Sequence, residues 1–298
     1  MKKILILGRD GQVGRELVRC LACVGDITAL GRAEVRLEDG AALRRAVTAR
    51  AYDVVINAAA YTQVDQAEKE PELARLVNGT APGIIAGAAS GIGALLVHYS
   101  TDFVFAGDSA RPYLEGDPAQ PLGVYGQSKL EGDHNIQQAP GEHLILRTSW
   151  VYGLHGKNFL LTMLRLAGER DVLKVVDDQT GNPTWSRMIA QATTGMLQVI
   201  WQRRMLDPGQ RVRDLVNLSS SGSTSWHGFA SAIMQHLGTS GHPCLKLGRV
   251  PAVTAIKSSE HPSLVRRPSY SVLDKTRLEK HYGICMPSWE EQLRLCLA

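Results

Sequence analysis

The 298-residue sequence has little of what marks several protein classes. Its five cysteines are odd in number and too few for a disulfide framework, and Cys20 and Cys23 form a C-x-x-C without a matching Cys or His pair, which we interpret as packing. The nine histidines show no metal-ligand spacing. The net charge of +4 is small and evenly spread, which argues against nucleic acid as a partner. No signal-peptide pattern precedes Ile4, so we expect a protein of the reducing cytoplasm.

One long uncharged segment requires a membrane test. Leu76–Thr101 contains no Asp, Glu, Lys or Arg and is long enough to span a bilayer. Pro82 and five glycines between Gly79 and Gly93 make it a poor spanning helix. A buried helix followed by a strand over Leu95–Ser100 explains the same composition, so we expect no membrane partner.

Apolar runs without polar alternation recur through the first half of the chain. Such strands are typical of parallel sheets, because helices cover both faces of those sheets. The runs alternate with segments that can form helices, a pattern that predicts an α/β fold with a Rossmann-type doubly wound parallel sheet. The predicted strands are Lys3–Leu7, Ile27–Leu30, Val54–Asn57, Leu95–Ser100 and Leu144–Arg147.

The alternation of strands and helices becomes less regular after Trp150. We therefore divide the chain into a dinucleotide-binding domain, residues 1–150, and a smaller C-terminal substrate-binding lobe, residues 151–298. We expect parts of residues 171–222 to return to the first sheet.

A glycine-rich stretch directly follows the first predicted strand. Gly8, Gly11 and Gly14 form a G-x-x-G-x-x-G motif that leads into a predicted helix. Glycines let the backbone turn tightly and approach a pyrophosphate, whose charge is favoured by the free N–H groups at the start of the helix. The motif and its position predict a dinucleotide-binding loop. The alternative is a turn that only packs helix on strand.

The end of the second predicted strand bears on the choice of cofactor. An acidic residue there binds the ribose hydroxyls of NAD, whereas a basic residue accommodates the 2′-phosphate of NADP. The sequence reads Ala29-Leu30-Gly31-Arg32, and the Arg32 guanidinium could bind a phosphate. We therefore expect NADPH, with NADH possible. The alternative for Arg32 is a solvated loop charge.

Three polar residues have the types and spacing of a ketone-reducing site. Tyr125 and Lys129 are four apart on a predicted helix, so the ammonium could lie near the phenol and lower its pKa from the usual value of ~10. Thr101 ends the fourth predicted strand, where α/β sheets place ligands, and could hydrogen-bond a substrate carbonyl. A Tyr-Lys pair alone is common by chance, but the glycine loop and the Ser-Thr-Asp stretch in chain order favour catalysis.

These residues resemble the extended short-chain dehydrogenase/reductase family, in the branch that acts on nucleotide sugars. The likeness covers nearly the whole chain and is closest to the dTDP-4-dehydrorhamnose reductases. It implies NAD(P)H-dependent reduction of the C4 ketone of dTDP-4-dehydro-L-rhamnose to dTDP-L-rhamnose. The matching stretches are Gly11–Gly14, Asn57–Thr62, Val64-Asp65, Ala67-Glu68, Ser100–Asp102, Arg147–Tyr152, Asp178-Gln179, Gly181, Pro183-Thr184 and Arg267-Pro268.

The resemblance also implies roles for the catalytic and cofactor-binding residues. Tyr125 would protonate O4 as hydride reaches C4, Lys129 would hold the nicotinamide ribose and tune Tyr125, and Thr101 would polarise the ketone. The predicted cofactor-binding residues are Gly8, Gly11, Gln12, Val13, Gly14, Arg32, Ala60, Tyr61, Thr62, Tyr99, Tyr125 and Lys129.

Four residues are candidates for substrate binding by the same resemblance. Thr101, Asp102 and Trp150 would contact the sugar. The alternatives are capping of the next turn for Asp102 and packing between the lobes for Trp150. Arg267, next to Arg266, could meet the thymidine diphosphate, although a solvated basic pair is the alternative.

Phe103 bears on the reaction type. Nucleotide-sugar 4,6-dehydratases resemble this site but carry Glu at the corresponding position, because elimination of water needs a further acid/base. A phenyl ring cannot transfer protons, so Phe103 disfavours elimination and leaves reduction possible.

The sequence departs from the family pattern at two places. Arg36 stands where many relatives have an acidic residue that contacts the adenosine end of the cofactor. Magnesium bridges subunits through glutamates in some members; Glu16 matches one, but Arg187 replaces another and the C-terminus at Ala298 is short. One carboxylate is a poor site for a hard cation, so we expect no tightly held metal. A homodimer remains possible.

Three other functions fit parts of the pattern. The chain could reduce another nucleotide-linked 4-keto-deoxysugar. It could be a non-catalytic regulatory subunit like that of methionine adenosyltransferase, which resembles these reductases, although intact Thr101, Tyr125 and Lys129 favour catalysis. An epimerase would retain its NAD through purification.

Overall fold

The computed structural model describes residues 1–240, 249–261 and 263–298. Its main sheet has six parallel strands in the order β2-β1-β3-β4-β5-β10. The predicted doubly wound α/β sheet is confirmed, and each predicted strand lies within an observed one. The strands are β1 (Lys2–Leu7), β2 (Gly25–Leu30), β3 (Val54–Asn57), β4 (Leu95–Thr101), β5 (His143–Thr148), β6 (Val151–Tyr152), β7 (Val172–Val176), β8 (Thr180–Gly181), β9 (Thr184–Trp185), β10 (Arg213–Asn217), β11 (Thr224–Ser225) and β12 (Ala252–Ile256).

Helices cover both faces of this sheet, which explains the apolar strands. Ile4 and Ile6 of β1 belong to one apolar core and Leu5 and Leu7 to another, because successive side chains of a strand point to opposite faces. The helices are α1 (Gln12–Leu21), α2 (Gly40–Thr48), α3 (Val64–Ala67), α4 (Pro71–Arg75), α5 (Ala81–Gly91), α6 (Val124–Gln138), α7 (Phe159–Ala167), α8 (Ser186–Leu206), α9 (Trp226–Ser240), α10 (Thr276–Tyr282) and α11 (Trp289–Leu297).

The uncharged segment forms a π-helical turn, Leu76–Thr80, followed by α5 and then by the fully buried strand β4. Helix α5 packs against α2 and α6 within the second core. Within the part of the chain that the structure describes, no helix combines the length and apolar character needed to cross a membrane.

A third apolar core lies among the elements that follow residue 150. Strands β7 and β12 pair in parallel, and Leu160, Phe229 and Trp289 are buried near them on α7, α9 and α11. The chain also returns to the main sheet, where β10 pairs with β5 and α8 packs against α1. The domain boundary at residue 150 stays a prediction.

The strand order places a crevice at one edge of the sheet. The chain runs from β1 to β2 on one side and then crosses to β3 on the other side of β1. Ligands of such sheets bind beyond the carboxyl ends of the strands at this reversal. The loops that follow β1 and β3 meet there, where a Cβ on Gly8 would lie 2.8 Å from the Cβ of Ala59.

Candidate functional site

The glycine loop joins β1 to α1 in a conformation that side chains would block. Gly8 has a φ of +91°, and a Cβ there would lie 2.8 Å from the Cβ of Ala59. A Cβ on Gly14 would lie 2.0 Å from the carbonyl oxygen of Gly8. No side chain caps the first turn of α1 at Gly11. The loop therefore presents backbone N–H groups and the positive end of a helix dipole to an anion.

The neighbouring predicted loop residues have different surroundings. Gln12 Oε1 accepts a hydrogen bond of 2.7 Å from Asn158 Nδ2, which ties the loop to the segment before α7. Val13 is half-buried and packs against the first core. Gln12 therefore links the loop that follows β1 to the chain beyond residue 150.

A cavity of about 380 Å³ brings together four of the predicted cofactor-binding residues. They are Arg32, Ala60, Tyr61 and Thr62. The Arg32 side chain is 74% exposed and donates to Glu38 Oε1 at 2.8 Å, so it reaches across the mouth of the cavity.

A carboxylate lies close to Arg36 in the structure, that of Glu38. It lines the same cavity, and the guanidinium of Arg36 lies 3.6 Å from its Oε1. The acidic group at this end of the crevice is therefore two residues further along the chain than Arg36. We assigned Glu38 no role from the sequence.

Thr101 and Tyr125 meet at the carboxyl end of β4. Thr101 is 5% exposed, and its hydroxyl accepts from the Phe103 backbone N–H at 3.2 Å and donates to Asp102 Oδ1 at 3.1 Å, close enough to the Tyr125 phenol to lower its pKa. Burial raises the pKa of Tyr125 to about 12, an effect that the contact with Thr101 opposes. The phenol is therefore a protonated donor at neutral pH.

Lys129 lies one helical turn after Tyr125, but its ammonium hydrogen-bonds residues of β4 and not the Tyr125 phenol. Its ammonium donates to the Tyr99 carbonyl at 2.6 Å and lies 3.1 Å from His98 Nε2. Burial lowers the pKa of Lys129 to about 8. We expected the ammonium to lower the phenol pKa. In this structure the pKa of Tyr125 is instead raised, because the desolvation of the phenol dominates.

Phe103 contacts the Tyr125 ring, whereas the Tyr99 side chain points away from the site. Phe103 lies edge-on to the Tyr125 ring, with centroids 5.6 Å apart at 76°. The Tyr99 side chain packs in the first core on the α8 face of the sheet, where its hydroxyl lies 2.8 Å from Thr193 Oγ1. The structure therefore brings the Tyr99 carbonyl, and not its phenol, to Lys129.

Asp102 is buried within hydroxyl groups. It is 2% exposed, and its oxygens accept from Ser149 Oγ at 2.9 Å and Thr101 Oγ1 at 3.1 Å. Burial raises the pKa of Asp102 to about 6, although hydrogen bonds from Ser271, Ser149 and Thr101 oppose the shift. Thr101, and not Asp102, caps the short helix that follows.

Trp150 stacks on Trp226 with centroids 3.5 Å apart and rings 2° from parallel. Its φ of +44° lies in the left-handed region that a bulky residue rarely adopts, and such strain is common at functional sites. Trp226 begins α9, so the stack joins the chain before residue 151 to the smaller core.

A larger cavity of about 960 Å³ contains Trp226, Arg266 and Arg267 among its lining residues. Arg267 donates to Asp65 Oδ2 at 3.0 Å, and its buried Nε has no hydrogen-bond partner among the described residues. The ion pair with Asp65 therefore holds Arg267 against α3.

Glu16 lies in an ion pair and not in a carboxylate cluster. Arg19 and Arg187 donate to its two oxygens at 2.8 and 3.2 Å. Two guanidinium groups thus occupy the lone pairs that a magnesium ion would need, so these residues do not fit the metal site of some family members. Cys20 packs against the first core nearby, whereas Cys23 is exposed; both are free thiols.

Comparison with known proteins identifies the family. A family model described as the RmlD substrate binding domain matches residues 1–298. The chain belongs to the RmlD family. A similar curated relative is the dTDP-4-dehydrorhamnose reductase of Burkholderia thailandensis, 44% identical over 296 residues that cover 99% of this chain and 98% of the relative. The Escherichia coli enzyme of the same name is 38% identical over 96% of this chain and 94% of its own.

Solved structures of RmlD-family proteins have the same architecture. The dTDP-4-dehydrorhamnose reductase of Bacillus anthracis, in complex with NADP, has a TM-score of 0.86 at 32% identity and covers 100% of this chain and 99% of its own. A Clostridium acetobutylicum relative has a TM-score of 0.88 at 33% identity, with 99% and 98% covered. The UDP-glucose 4-epimerase of Brucella ovis, at 18% identity with a TM-score of 0.77 and 99% and 97% covered, shares the fold alone.

Sequence reasoning missed three residues at these sites. His98, Glu38 and Trp226 contact Lys129, Arg32 and Trp150, respectively. The sequence did carry a signal for His98. It lies two residues before Ser100, so both side chains are on the same face of β4 and could be expected to face the same helix. The sequence carries no comparable signal for Glu38 or Trp226, whose contacts depend on loops.

Proposed function

We propose that this RmlD-family chain reduces the C4 ketone of dTDP-4-dehydro-L-rhamnose with NADPH and so forms dTDP-L-rhamnose. The relatives named above support the substrate and the reaction. The observation that carries the proposal is the place of the Tyr125 phenol beside Thr101 at the crevice, where Phe103 contacts both residues. The protonated phenol is one donor for the ketone oxygen, and the Thr101 hydroxyl is the second once its proton turns from Asp102, its acceptor in this structure.

The proton of the reaction comes from Tyr125 in this proposal. A reduced nicotinamide, when bound, supplies the hydride. The Thr101 hydroxyl orients the ketone, and Tyr125 gives its proton to O4, because an alkoxide is more basic than a phenolate. The Lys129 ammonium favours the phenolate that remains, since a nearby positive charge stabilises an anion. Phe103 packs on the Tyr125 ring and transfers no proton, which favours reduction over elimination.

The cofactor would extend from the glycine loop to the cavity at Arg32. Gly8, Gly11 and Gly14 would receive the pyrophosphate, and Ala60, Tyr61 and Thr62 would line the adenosine end. The Arg32 side chain is mostly exposed, and it can exchange its ion pair with Glu38 for a 2′-phosphate because exposed ion pairs contribute little stability. This supports NADPH, and NADH stays possible because Glu38 could accept from the ribose hydroxyls.

The nucleotide part of the substrate would occupy the larger cavity. Its volume of about 960 Å³ lies within the range of small-molecule sites. Arg266 and Arg267 offer donors for the diphosphate, and the Trp226 indole, which contacts Trp150 and Phe159, lines the same cavity. Trp150 and Asp102 would contact the sugar, Trp150 through its ring and Asp102 through the hydroxyl groups that it orders.

Substitution of Tyr125 tests this function. Tyr125→Phe keeps the ring and its contact with Phe103 but removes the proton, so turnover should fall roughly 10²–10⁴-fold. The assay follows NADPH absorbance with dTDP-4-dehydro-L-rhamnose. Tyr282→Phe is the control, because it also removes a phenol hydroxyl, but one that donates to Asp214 of β10. A loss below tenfold in Tyr125→Phe would remove Tyr125 from this role.

The same assay separates the other functions. A regulatory subunit would consume no NADPH with any ketosugar, and an epimerase would retain its nicotinamide cofactor through purification. Reduction of a different sugar would appear in a panel of dTDP-, GDP- and UDP-linked 4-ketosugars, with NMR of the reduced carbon. We also propose a cytoplasmic location and a homodimer without bridging magnesium. The last point is supported by the ion pair between Glu16 and Arg187.

A further inference from the structure

Alternate residues of β4 face helix α6 and meet it at two points. His98 and Ser100 are two apart on the strand, so their side chains point to the same face. Lys129 and Asp133 are four apart on α6 and also share a face. His98 Nε2 lies 3.1 Å from Lys129 Nζ, and Ser100 Oγ donates to Asp133 Oδ2 at 2.7 Å. The strand thus supplies one neutral partner to Lys129 and one to Asp133.

Lys129 and the residues next to its ammonium are buried from solvent. Lys129, His98 and Asn57 are 2%, 1% and 1% exposed. The Asn57 side-chain amide lies 3.1 Å from the other ring nitrogen of His98, Nδ1. Asn57 and His98 are also paired across β3 and β4, so the imidazole is fixed from the neighbouring strand. The ring has one partner on each nitrogen and cannot rotate without losing both.

The donors of Lys129 can be counted. An ammonium has three N–H donors. One donates to the Tyr99 carbonyl at 2.6 Å, and a second points at His98 Nε2. One donor is left for the catalytic site. Because an ammonium can only donate, Nε2 accepts, and the neutral imidazole carries its proton on Nδ1. The Asn57 amide must then turn its oxygen to Nδ1, the reverse of its orientation in the structure, where Nδ2 lies 3.1 Å from Nδ1 and the oxygen accepts from the Ala59 N–H at 3.3 Å.

A neutral acceptor has a physical advantage at this position. A carboxylate in place of His98 would hold the ammonium equally well but would cancel its charge. The imidazole holds the ammonium without a negative charge, so the field of Lys129 stays available to an anion beside it. Burial and the charge of Lys129 keep the pKa of His98 well below its usual value, so the ring stays neutral.

We propose that His98 is a positioning residue that fixes the Lys129 ammonium as an uncharged acceptor, in its Nδ1–H tautomer. It acts through Lys129 and touches no reacting atom. This inference rests on the proposed reductase function for its effect on turnover, but the hydrogen-bond arrangement itself does not.

Other charged groups also face Lys129, and the test must separate them. Asp133 lies on the same helix and raises the pKa of Lys129, against the larger effect of burial. Arg147 of β5 lies 3.6 Å from Asp133 Oδ2 and shares that carboxylate. Tyr125 precedes Lys129 by one turn on α6. Substitutions at His98 leave all three groups in place.

Two amide substitutions of similar polarity distinguish positioning from packing. The Gln side chain in His98→Gln is long enough to reach Lys129, as Nε2 does, whereas the shorter side chain in His98→Asn reaches only toward Asn57. We expect the alkaline limb of the kcat–pH profile to move to lower pH by about one unit in His98→Asn, because the charged form of Lys129 loses an acceptor. The His98→Gln limb should stay near that of the wild type.

The control is His143→Asn, on the neighbouring strand. His143 is also a buried sheet histidine at 6% exposure, but it lies at the start of β5. The His143→Asn substitution should leave the alkaline limb of the kcat–pH profile unchanged. Equal profiles for His98→Asn and His98→Gln, or a shift in His143→Asn, would overturn the proposal. If the wild type reduces no ketosugar, the proposed function fails, and the following measurement still decides the inference.

Nitrogen-15 NMR of histidine-labelled wild-type protein reads the tautomer without any activity. The His98 signals are assigned as those lost from the spectrum of the His98→Gln protein. We expect a neutral ring with the proton on Nδ1 at pH 7. A proton on Nε2, or a ring that is charged at that pH, would overturn the assignment. This measurement also decides the question if His98→Asn fails to fold.

Discussion

Lys129 creates a conflict between stability and catalysis that can be measured. Its side chain is 2% exposed, and burial lowers its pKa from the ordinary value of 10.5 to about 8. Between these values the unfolded chain binds more protons than the folded one. The cost of burying the charge is therefore full below pH 8 and disappears as the pH rises through 10.5. At about 1.4 kcal/mol per unit, the charge costs about 3 kcal/mol near pH 7.

Lys129→Met removes this charge and keeps a side chain of similar length. It also removes the hydrogen bonds to the Tyr99 carbonyl and the His98 ring, each worth about 1 kcal/mol. The net result is a gain of about 1 kcal/mol in the free energy of unfolding at pH 7. At pH 10 the charge cost has fallen below about 1 kcal/mol, so the same variant should be less stable than the wild type.

The assay is urea unfolding of both proteins at pH 7, 8.5 and 10, together with NADPH turnover. We expect the stability advantage of Lys129→Met to fall by about 2 kcal/mol over this range and its turnover to be lost. Lys280→Met is the control, because Lys280 is exposed on α10 and its replacement should give no such trend. An advantage that stays constant or grows as the pH rises would refute the reasoning.

Three further outcomes follow from the site. Arg32→Ala should narrow the preference for NADPH over NADH by roughly tenfold or more, since a charged contact to phosphate is lost; an unchanged ratio of kcat/KM would contradict it. Gly14→Ala should abolish NADPH binding in a fluorescence titration, because its Cβ would lie 2.0 Å from the Gly8 carbonyl oxygen, and retained affinity would mean that the loop adapts. Treatment with EDTA should leave activity and molecular mass unchanged, because Arg187 pairs with Glu16; a marked loss on chelation would show a metal that the ion pair does not replace.

Much of the fold could be predicted because its signals are local. The central strands are continuous apolar runs, and their burial on both faces explains that composition. The glycine spacing after β1 reflects close contacts within the loop itself. The sixth strand, β10, reads Arg-Asp-Leu-Val-Asn and lies at the edge of the sheet, so its mixed composition gave no clear strand signal.

The site was predictable in its residues but not in their contacts. Tyr125 and Lys129 share a helix face, as their spacing indicates. The spacing of residues on a helix gives no information about the strand against which the helix packs. Here β4 supplies the Tyr99 carbonyl and the His98 imidazole, which accept hydrogen bonds from the Lys129 ammonium. The direction of the Tyr125 pKa shift was missed for the same reason, because burial is a property of the assembled fold.

The parallel stack of Trp150 on Trp226 gives the protein an optical signal of its own. Two indoles 3.5 Å apart couple their electronic transitions, so the pair contributes a near-ultraviolet circular dichroism band that separated rings would lack. One ring belongs to the segment after β5 and the other to the start of α9. Any movement between those two segments therefore changes an intrinsic spectrum, and it can be followed without a label.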